Sequence, residues 1–360
     1  MKKVLFVGVD ESGAVSRIMK ETLKRLHLAD VQLFTFGLGT ENKVLQEEDI
    51  VSYYKHIPIF PHKIIFKLQR EILSLIGRNN HLVSWRLIYK SLEKLCDRIK
   101  PDIIIAMSGL FYYMKAAFEC SKKRNIKLSL VFFDPYETNA LIRDKARAIK
   151  EANLWCEYAS AIIFDKDGER PLSNSFGNKL SPFLIPIFEK ETASNNNSII
   201  YGGFFYKGFR SNQTLLAFLN TVQENSVHFD LYISRNDKEA IKRYVPKNTS
   251  IHSLQPVEKY EEICKQCLAI IVIGNGHQSN VKPSKFLEAI GHKKPIILIN
   301  FPDGTGHFSK YPFSYKSDCD AVAQIKQLNR EKLLKYDIYS DFPERNPDLF
   351  VEKIISLINV

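Results

Sequence analysis

The chain has 360 residues, of which 45% are hydrophobic and 25% charged, a balance that excludes disordered, collagenous and low-complexity classes and suggests ~2 domains. The longest unbroken apolar run, residues 267–273, is far short of the ~20 residues of a membrane-spanning helix. A formal net charge of +11 points to an anionic partner: nucleic acid, phospholipid headgroups or a phosphorylated substrate.

Residues 3–9 read as a buried first strand. Lys2 and Lys3 before them resemble the start of a signal peptide, but the apolar stretch stops at Asp10, too early for an export signal. A polar loop follows, then a helix over 17–26 and a second strand over 31–37. Next comes a long basic helical region; from Lys55 to Lys100 ten Lys and Arg stand against Glu71, Glu93 and Asp97. Ile64, Ile65, Leu68, Ile72, Leu73 and Ile76 share a helical stripe flanked by Lys63, Lys67 and Arg70. That pattern suits an interfacial helix and equally an ordinary packed one. A helix over 92–100, a strand over 101–108, a helix over 112–123, a strand over 128–134, a helix over 143–158 and a strand over 161–164 complete the first half. Such alternation implies a parallel sheet covered on both faces.

Residues 189–198 are polar, rich in Asn and Ser and without periodicity, and read as a linker. A second alternation follows: strands over 199–205, 229–234, 268–274 and 295–300, helices over 212–224, 258–267 and 283–290, and a closing helix over 347–358. The expected domains are therefore 1–188, with a basic apolar region at 55–100, and 199–346, with residues 347–360 able to pack back on the first. Ligands of open α/β sheets bind beyond the carboxyl ends of the strands, so the site is expected in a cleft between the two domains.

Several signatures are missing: GxGxxG after the first strand, GxxxxGK[ST], HExxH and GxSxG. The histidines have no ligand spacing, and Cys264 and Cys267 lack a second pair, so helical spacing assigns them to a packed face and no metal is expected. Cys96, Cys120, Cys156 and Cys319 are scattered, as in a protein that keeps its thiols reduced. The informative segment is Lys282-PSKFLEAIGHKKPIILIN. Pro283 suits the first position of a helix. Ser284 and Lys285 then lie in the first turn, where free amides and a full cation favour an anion. Glu288, three residues on, shares that face and can accept hydrogen bonds from a ribose diol. On the residues alone, this is a nucleoside-diphosphate clamp or an amphipathic helix with one Lys–Glu pair.

This segment resembles the nucleotide-binding motif of GT-B glycosyltransferases, P-S-K-x-x-E-x-x-x-x-x-K-P-I/V, matched by Pro283, Ser284, Lys285, Glu288, Lys294, Pro295 and Ile296. Tyr201-GGFFYKGFRSNQTLLAFL resembles the family's opening of the C-terminal domain, with Gly202, Gly203, Arg210 and Ser211 matching the residues that face the donor phosphates. His252-SLQPVEKYEEICKQCLAIIVIG resembles the following stretch, beside the nucleotide base. The resemblance covers residues 199–300; residues 1–188 match only in general order. It implies two Rossmann-like domains facing across a cleft, a nucleotide-sugar donor, and leaving-group charge stabilised by Arg210, Lys285 and helix amides rather than by a metal or other cofactor. Asn280 stands where many retaining members carry the first Glu of an E-x7-E pair, so His277 and the loop backbone are the candidates for sugar contact and the stereochemistry stays open.

An inverting transfer needs a base for the acceptor hydroxyl. The candidates are Asp134, at the end of the strand over 128–134; Asp10, at the end of the first strand; and Glu137. Asp also favours caps and turns, the alternative reading for each. Ser12 and Gly13 let the backbone approach the donor. The expectation is a metal-independent hexosyltransferase moving a sugar, UDP-linked, to a glycan or lipid-linked hydroxyl, cytoplasmic and peripheral on the inner face of the membrane, as in surface-polysaccharide assembly. An anionic membrane surface is an expected partner and nucleic acid is not, since no RRM, zinc-finger or helix-turn-helix pattern is present. The alternatives are a UDP-sugar epimerase of the same fold and a non-enzymatic protein that binds nucleotide sugars or nucleic acid.

Overall fold

A computed structural model describes residues 1–11, 13–26, 28–47, 49–56, 81–108, 111–133, 145–167, 174–193, 196–203, 205, 211–222, 227–274, 284–301 and 310–359. Contacts divide the chain into two compact units, Met1–Ile185 with Pro347–Val360, and Pro186–Asn346.

The first unit is built on a sheet in the order β3-β4-β2-β1-β5-β6-β7-β8, with β1 at Lys2–Val7, β2 at Val31–Leu38, β3 at Lys43–Glu47, β4 at Ile50–Lys55, β5 at Ile103–Met107, β6 at Lys127–Phe132, β7 at Ala161–Asp165 and β8 at Leu180–Phe183. Only the β3–β4 pair is antiparallel. Strands buried on both faces read as unbroken apolar runs, and β1 shows why. Leu5 and Val7 point into one core with Ile104, Ala106, Leu128 and Leu130, while Val4 and Phe6 point into another with Ile103, Ile105 and Met107. The first core is closed by α2 (His81–Ile99), α3 (Phe111–Arg124) and α4 (Lys145–Tyr158). The second is closed by α1 (Ala14–Lys24) and by the C-terminal helix (Pro347–Ile358), whose Phe350 lies 4.8 Å from the Phe183 ring and 6.1 Å from that of Phe133. Lys353 Nζ donates to Ser181 Oγ at 2.7 Å, and Lys2 Nζ donates to the Ile358 carbonyl.

The structure adds a strand pair after β2. β3 and β4 pair antiparallel, in a stretch to which the sequence pattern assigns no element, ahead of the basic region expected over 55–100. β3 is exposed along most of its length, so it lacks the apolar run that marks the buried strands. Lys63, Lys67, Arg70 and the apolar stripe beside them lie outside the described residues.

The second unit carries a parallel sheet in the order β11-β10-β9-β12-β13-β14, with β9 at Ser198–Gly203, β10 at His228–Ile233, β11 at Thr249–Ser253, β12 at Ala269–Ile273, β13 at Ile296–Ile299 and β14 at Ser314–Lys316. Its helices include α5 (Asn212–Thr221), α7 (Val257–Gln266) and α8 (Ser284–Gly291), with α6 (Arg235–Ile241) between β10 and β11. The polar stretch from residue 189 is stitched onto this unit. Lys190 N donates to Gly291 O at 2.9 Å, Ala193 N donates to Lys265 O at 3.0 Å, and Lys190 pairs with Glu261.

In each sheet the strand order reverses once near the centre, at β1/β5 and at β9/β12. Crossover helices leave in opposite directions there, which opens a crevice at the strands' carboxyl ends. Those two places position the candidate residues.

Candidate functional site

β9 ends in Gly202 and Gly203, at the switch point of the second sheet. A Cβ on Gly202 would stand 2.3 to 2.4 Å from Tyr260 Oη, Cε2 and Cζ, so only glycine lets that ring lie against the strand. A Cβ on Gly203 would stand 3.8 Å from Lys285 Cε. The stem of Lys285 thus runs along the strand end.

Lys285 lies in the first turn of α8. Phe286, Leu287, Ala289 and Ile290 bury the inner side of this helix, which leaves Ser284, Lys285 and Glu288 on the open side. Lys285 Nζ sits 4.4 Å from the centroid of the Tyr260 ring and 3.7 Å from Glu288 Oε2. The Lys–Glu pair is the geometry expected of residues three apart, and it leaves both side chains about a quarter exposed, at 28% and 22%. Ser211, at the start of α5, accepts from Gln213 N at 3.0 Å through its hydroxyl and so caps that helix. Arg210 and His277, the other donor-side candidates, lie outside the described residues, as do Pro283 and Asn280.

Lys294, matched by the same sequence motif, has a different fate. Its side chain is buried, and Nζ donates to Ala193 O at 2.6 Å and Cys267 O at 2.9 Å. Burial holds its ammonium below the ordinary lysine range. Lys294 therefore ties the turn after α8 to the 189–193 stretch and to α7. His292, in the same turn, is 4% exposed, and burial, then Lys190, pushes its imidazole down to about 4. Cys264 and Cys267 are buried packing residues; burial pushes Cys264 up to about 12 and Cys267 higher still. Among the described residues, no group of three or more His, Cys, Asp and Glu is arranged to hold a metal ion.

Sequence reasoning did not single out Tyr260, Tyr232 or Asp230. Tyr232 stands edge-on to Tyr260 at 6.0 Å and stacks on His252 at 4.8 Å, and His252 Nε2 lies 2.7 Å from Asp230 Oδ1. The period-2 alternation of β10 carries a signal for the strand face: Phe229, Leu231 and Ile233 are buried, while Asp230 and Tyr232 point the other way. Nothing in that alternation announces the ring beneath Lys285.

In the first unit, the chain leaves β1 through Gly8, at φ +103°, a left-handed conformation suited to glycine. Asp10 follows at the switch point. Its Oδ1 accepts from Leu38 N at 2.7 Å and from the Tyr113 hydroxyl, and its own amide donates to Ser16 Oγ at 2.8 Å. Burial is the largest influence on this carboxyl and raises it above the usual range; the bonds from Tyr113 and Leu38 and the charge of Lys20 oppose the rise. Glu11, next in the chain, is held by Lys43 and by Thr40, which lowers its carboxyl to about 2. Gly13 precedes α1 with φ +119°, and no side chain caps that helix. Asp134 and Glu137 lie outside the described residues, and so does Ser12.

No protein-family description and no curated protein sequence matches the chain. Solved structures do match it. One of trehalose-6-phosphate synthase, from work on enzymatic glycosyltransfer with retention, is 12% identical over 99% of this chain and 98% of its own, with a TM-score of 0.60. The S. aureus MnaA structure with UDP is 11% identical over 99% and 95%, with a TM-score of 0.56. The glycosyltransferase SnogD from Streptomyces nogalater is 12% identical over 99% of each chain, at 0.51. The fold is GT-B. GT-B chains pair two Rossmann-like sheet domains, here the units led by β1 and β9. What these chains share with this one is the fold, and function resides in the site residues.

Proposed function

We propose that the protein is a glycosyltransferase that moves a sugar from a nucleotide donor, a UDP-sugar, to a hydroxyl of a glycan or lipid-linked acceptor. The observation that carries this reading is Lys285, seated beside Gly203 at the switch point of the second sheet with Glu288 one turn along the same face. A diphosphate at the start of α8 meets the free amides of the first turn and the Lys285 ammonium. Glu288 then accepts from the ribose hydroxyls and gives up its pairing with Lys285. Ser284, Ser211, Gly203, Arg210, Gly13 and His277 complete the proposed donor contacts. Cationic compensation of the leaving diphosphate by Lys285 and Arg210 makes a metal-independent hexosyl transfer the simplest route.

Asp134, Asp10 and Glu137 are the proposed bases for the acceptor hydroxyl. Among the described residues, Asp10 has the surroundings for that work: a carboxyl raised by burial and held by two hydrogen bonds to one oxygen. SnogD is a glycosyltransferase, the trehalose-6-phosphate synthase work concerns glycosyltransfer, and MnaA was solved with UDP; each supports a nucleotide-sugar donor here.

The lipid-linked acceptor and a peripheral place on the cytoplasmic face of the membrane rest on α2. Arg86, Lys90, Lys94 and Arg98 recur every four residues on it and are exposed. Its acids point elsewhere: Glu93 is bound by Lys123 and Arg124, and Asp97 by Arg124. No described helix is long and apolar enough to cross a membrane.

Incubation with a panel of UDP-sugars tests the reading. Slow UDP release, accelerated by an acceptor, is the expected result. A changed sugar without UDP release points instead to an epimerase, and binding without either product overturns the enzyme reading.

A further inference from the structure

Among the described residues, the Lys285 ammonium of the proposed donor site meets one carboxylate and one aromatic ring. A lysine side chain has four rotatable bonds, and fixing it costs conformational entropy. Glu288 offers Lys285 a partner at 3.7 Å, but a salt bridge between partly exposed groups is weak, and Glu288 is needed for the ribose. Among the described residues, the face of Tyr260, 4.4 Å from Nζ, is the other contact on the ammonium. The ring itself is well fixed. Its Oη, Cζ and Cε2 fill the space of a Cβ on Gly202, and Tyr232 meets it edge-on at 6.0 Å and 77°.

We propose that Tyr260 is a positioning residue of the donor site: its ring face holds the Lys285 ammonium over the end of β9 for the donor diphosphate, and Gly202 is glycine because that ring occupies the space of a Cβ. A ring quadrupole attracts a cation without neutralising it. The ammonium therefore keeps its full charge for phosphate, whereas a carboxylate in the same place would compete with the phosphate for it. The inference rests on the donor-site reading given above.

The test compares Tyr260→Phe, Tyr260→Leu, Gly202→Ala and Lys285→Ala in the full chain, with UDP as the probe and calorimetric binding as the readout. Tyr260→Phe keeps the ring face and is expected to bind UDP within about twofold of wild type. Tyr260→Leu is expected to lose roughly 3- to 30-fold. In the Lys285→Ala background the same substitution is expected to change nothing, because no cation is left to position. Fluorinated phenylalanines at 260 drain the ring face of negative charge at constant shape, and affinity is expected to fall step by step with fluorine number, a trend that a packing role would not produce. Gly202→Ala is expected to push the ring aside and lose as much as Tyr260→Leu, with no further loss when the two are combined.

A ring-current shift on the Lys285 ε-methylene, read by NMR on protein with 13C-labelled lysine, tests the positioning without any donor. The shift is expected in wild type and Tyr260→Phe and lost in Tyr260→Leu. UDP affinity equal in the Leu and Phe variants, or a full Tyr260→Leu loss in the Lys285→Ala background, overturns the proposal. Failure of wild type to bind UDP, with the ring-current pattern intact, overturns the donor reading and leaves the positioning standing.

Discussion

Lys285 and Glu288 grip the proposed donor at different stages, and their variants are expected to fail differently. Glu288, on the ribose, binds ground state and transition state alike; Glu288→Ala is expected to weaken UDP binding ~10- to 100-fold, the worth of a charged hydrogen bond, and to raise KM with kcat largely kept. Lys285 faces charge that grows as the diphosphate leaves. Lys285→Ala is expected to cost ~10²- to 10³-fold, mainly in kcat. Steady-state kinetics separate the two, and wild-type UDP affinity in both variants would reduce α8 to a packed helix. For Asp10, exchange to Asn is expected to lower transfer ~10²- to 10⁴-fold with UDP binding unchanged. Near wild-type turnover would move the base to Asp134 or Glu137. His292 makes a stability prediction. Its folded form titrates near 4, against an unfolded value of 6.5, so the unfolded chain binds more protons between those values. Stability contributed by the neutral imidazole is present above the unfolded value and is lost as pH falls toward the folded one. Lys190, Lys294, Glu261 and Glu288 act on the same ring. Urea unfolding at pH 7 and pH 5 is expected to show that wild type loses roughly 2 kcal/mol more than His292→Leu over that interval.

Elements differ in how openly the sequence declares them. The strands β1, β5, β6, β9 and β12 are buried on both faces and stand out as short apolar runs between polar turns. The hairpin of β3 and β4 does not, because β3 is exposed on both sides: Val44 is 56% exposed and Leu45 39%. With no buried face on β3 there is no periodicity to read, so the stretch between the second strand and the basic region at 55–100 shows no element in the sequence. In α2 the charge pattern was legible, but which charges are paired was not. The acids Glu93 and Asp97 lie on the helix that carries the cations, so counting in sequence sets them against Arg86, Lys90, Lys94 and Arg98. The fold gives them to Lys123 and Arg124 of α3. Vesicle sedimentation tests the consequence. Neutralising Arg86, Lys90 and Lys94 together is expected to weaken binding to anionic vesicles by ~1 kcal/mol per charge at modest salt. Retention of the wild-type protein on no vesicle at any salt would remove the membrane from the proposal.

For the molecule as a whole, the first unit is closed by residues from the far end of the chain. Phe350 packs against Phe133 and Phe183, and Ile354, Leu357 and Ile358 join the same core. Phe350→Ala is expected to cost ~3–5 kcal/mol. Urea unfolding of wild type and Phe350→Ala is expected to show that loss, and an unchanged midpoint would mean that the C-terminal helix does not close this core.

By itself, the sequence determined the local matters: which runs are buried strands, that they alternate with helices in two series, and that Ser284, Lys285 and Glu288 share one exposed helix face. Those follow from period and spacing along a few residues, and chain-local physics decides them. The tertiary structure decided what each charged group meets. It put Lys285 against Tyr260 and Gly203, sank Lys294 among backbone carbonyls, and gave Asp10 a phenol and an amide from elements far along the chain. Burial and partner choice depend on which strands become neighbours at a switch point, and that order is set by crossover connections between whole elements. No pattern within one segment encodes it.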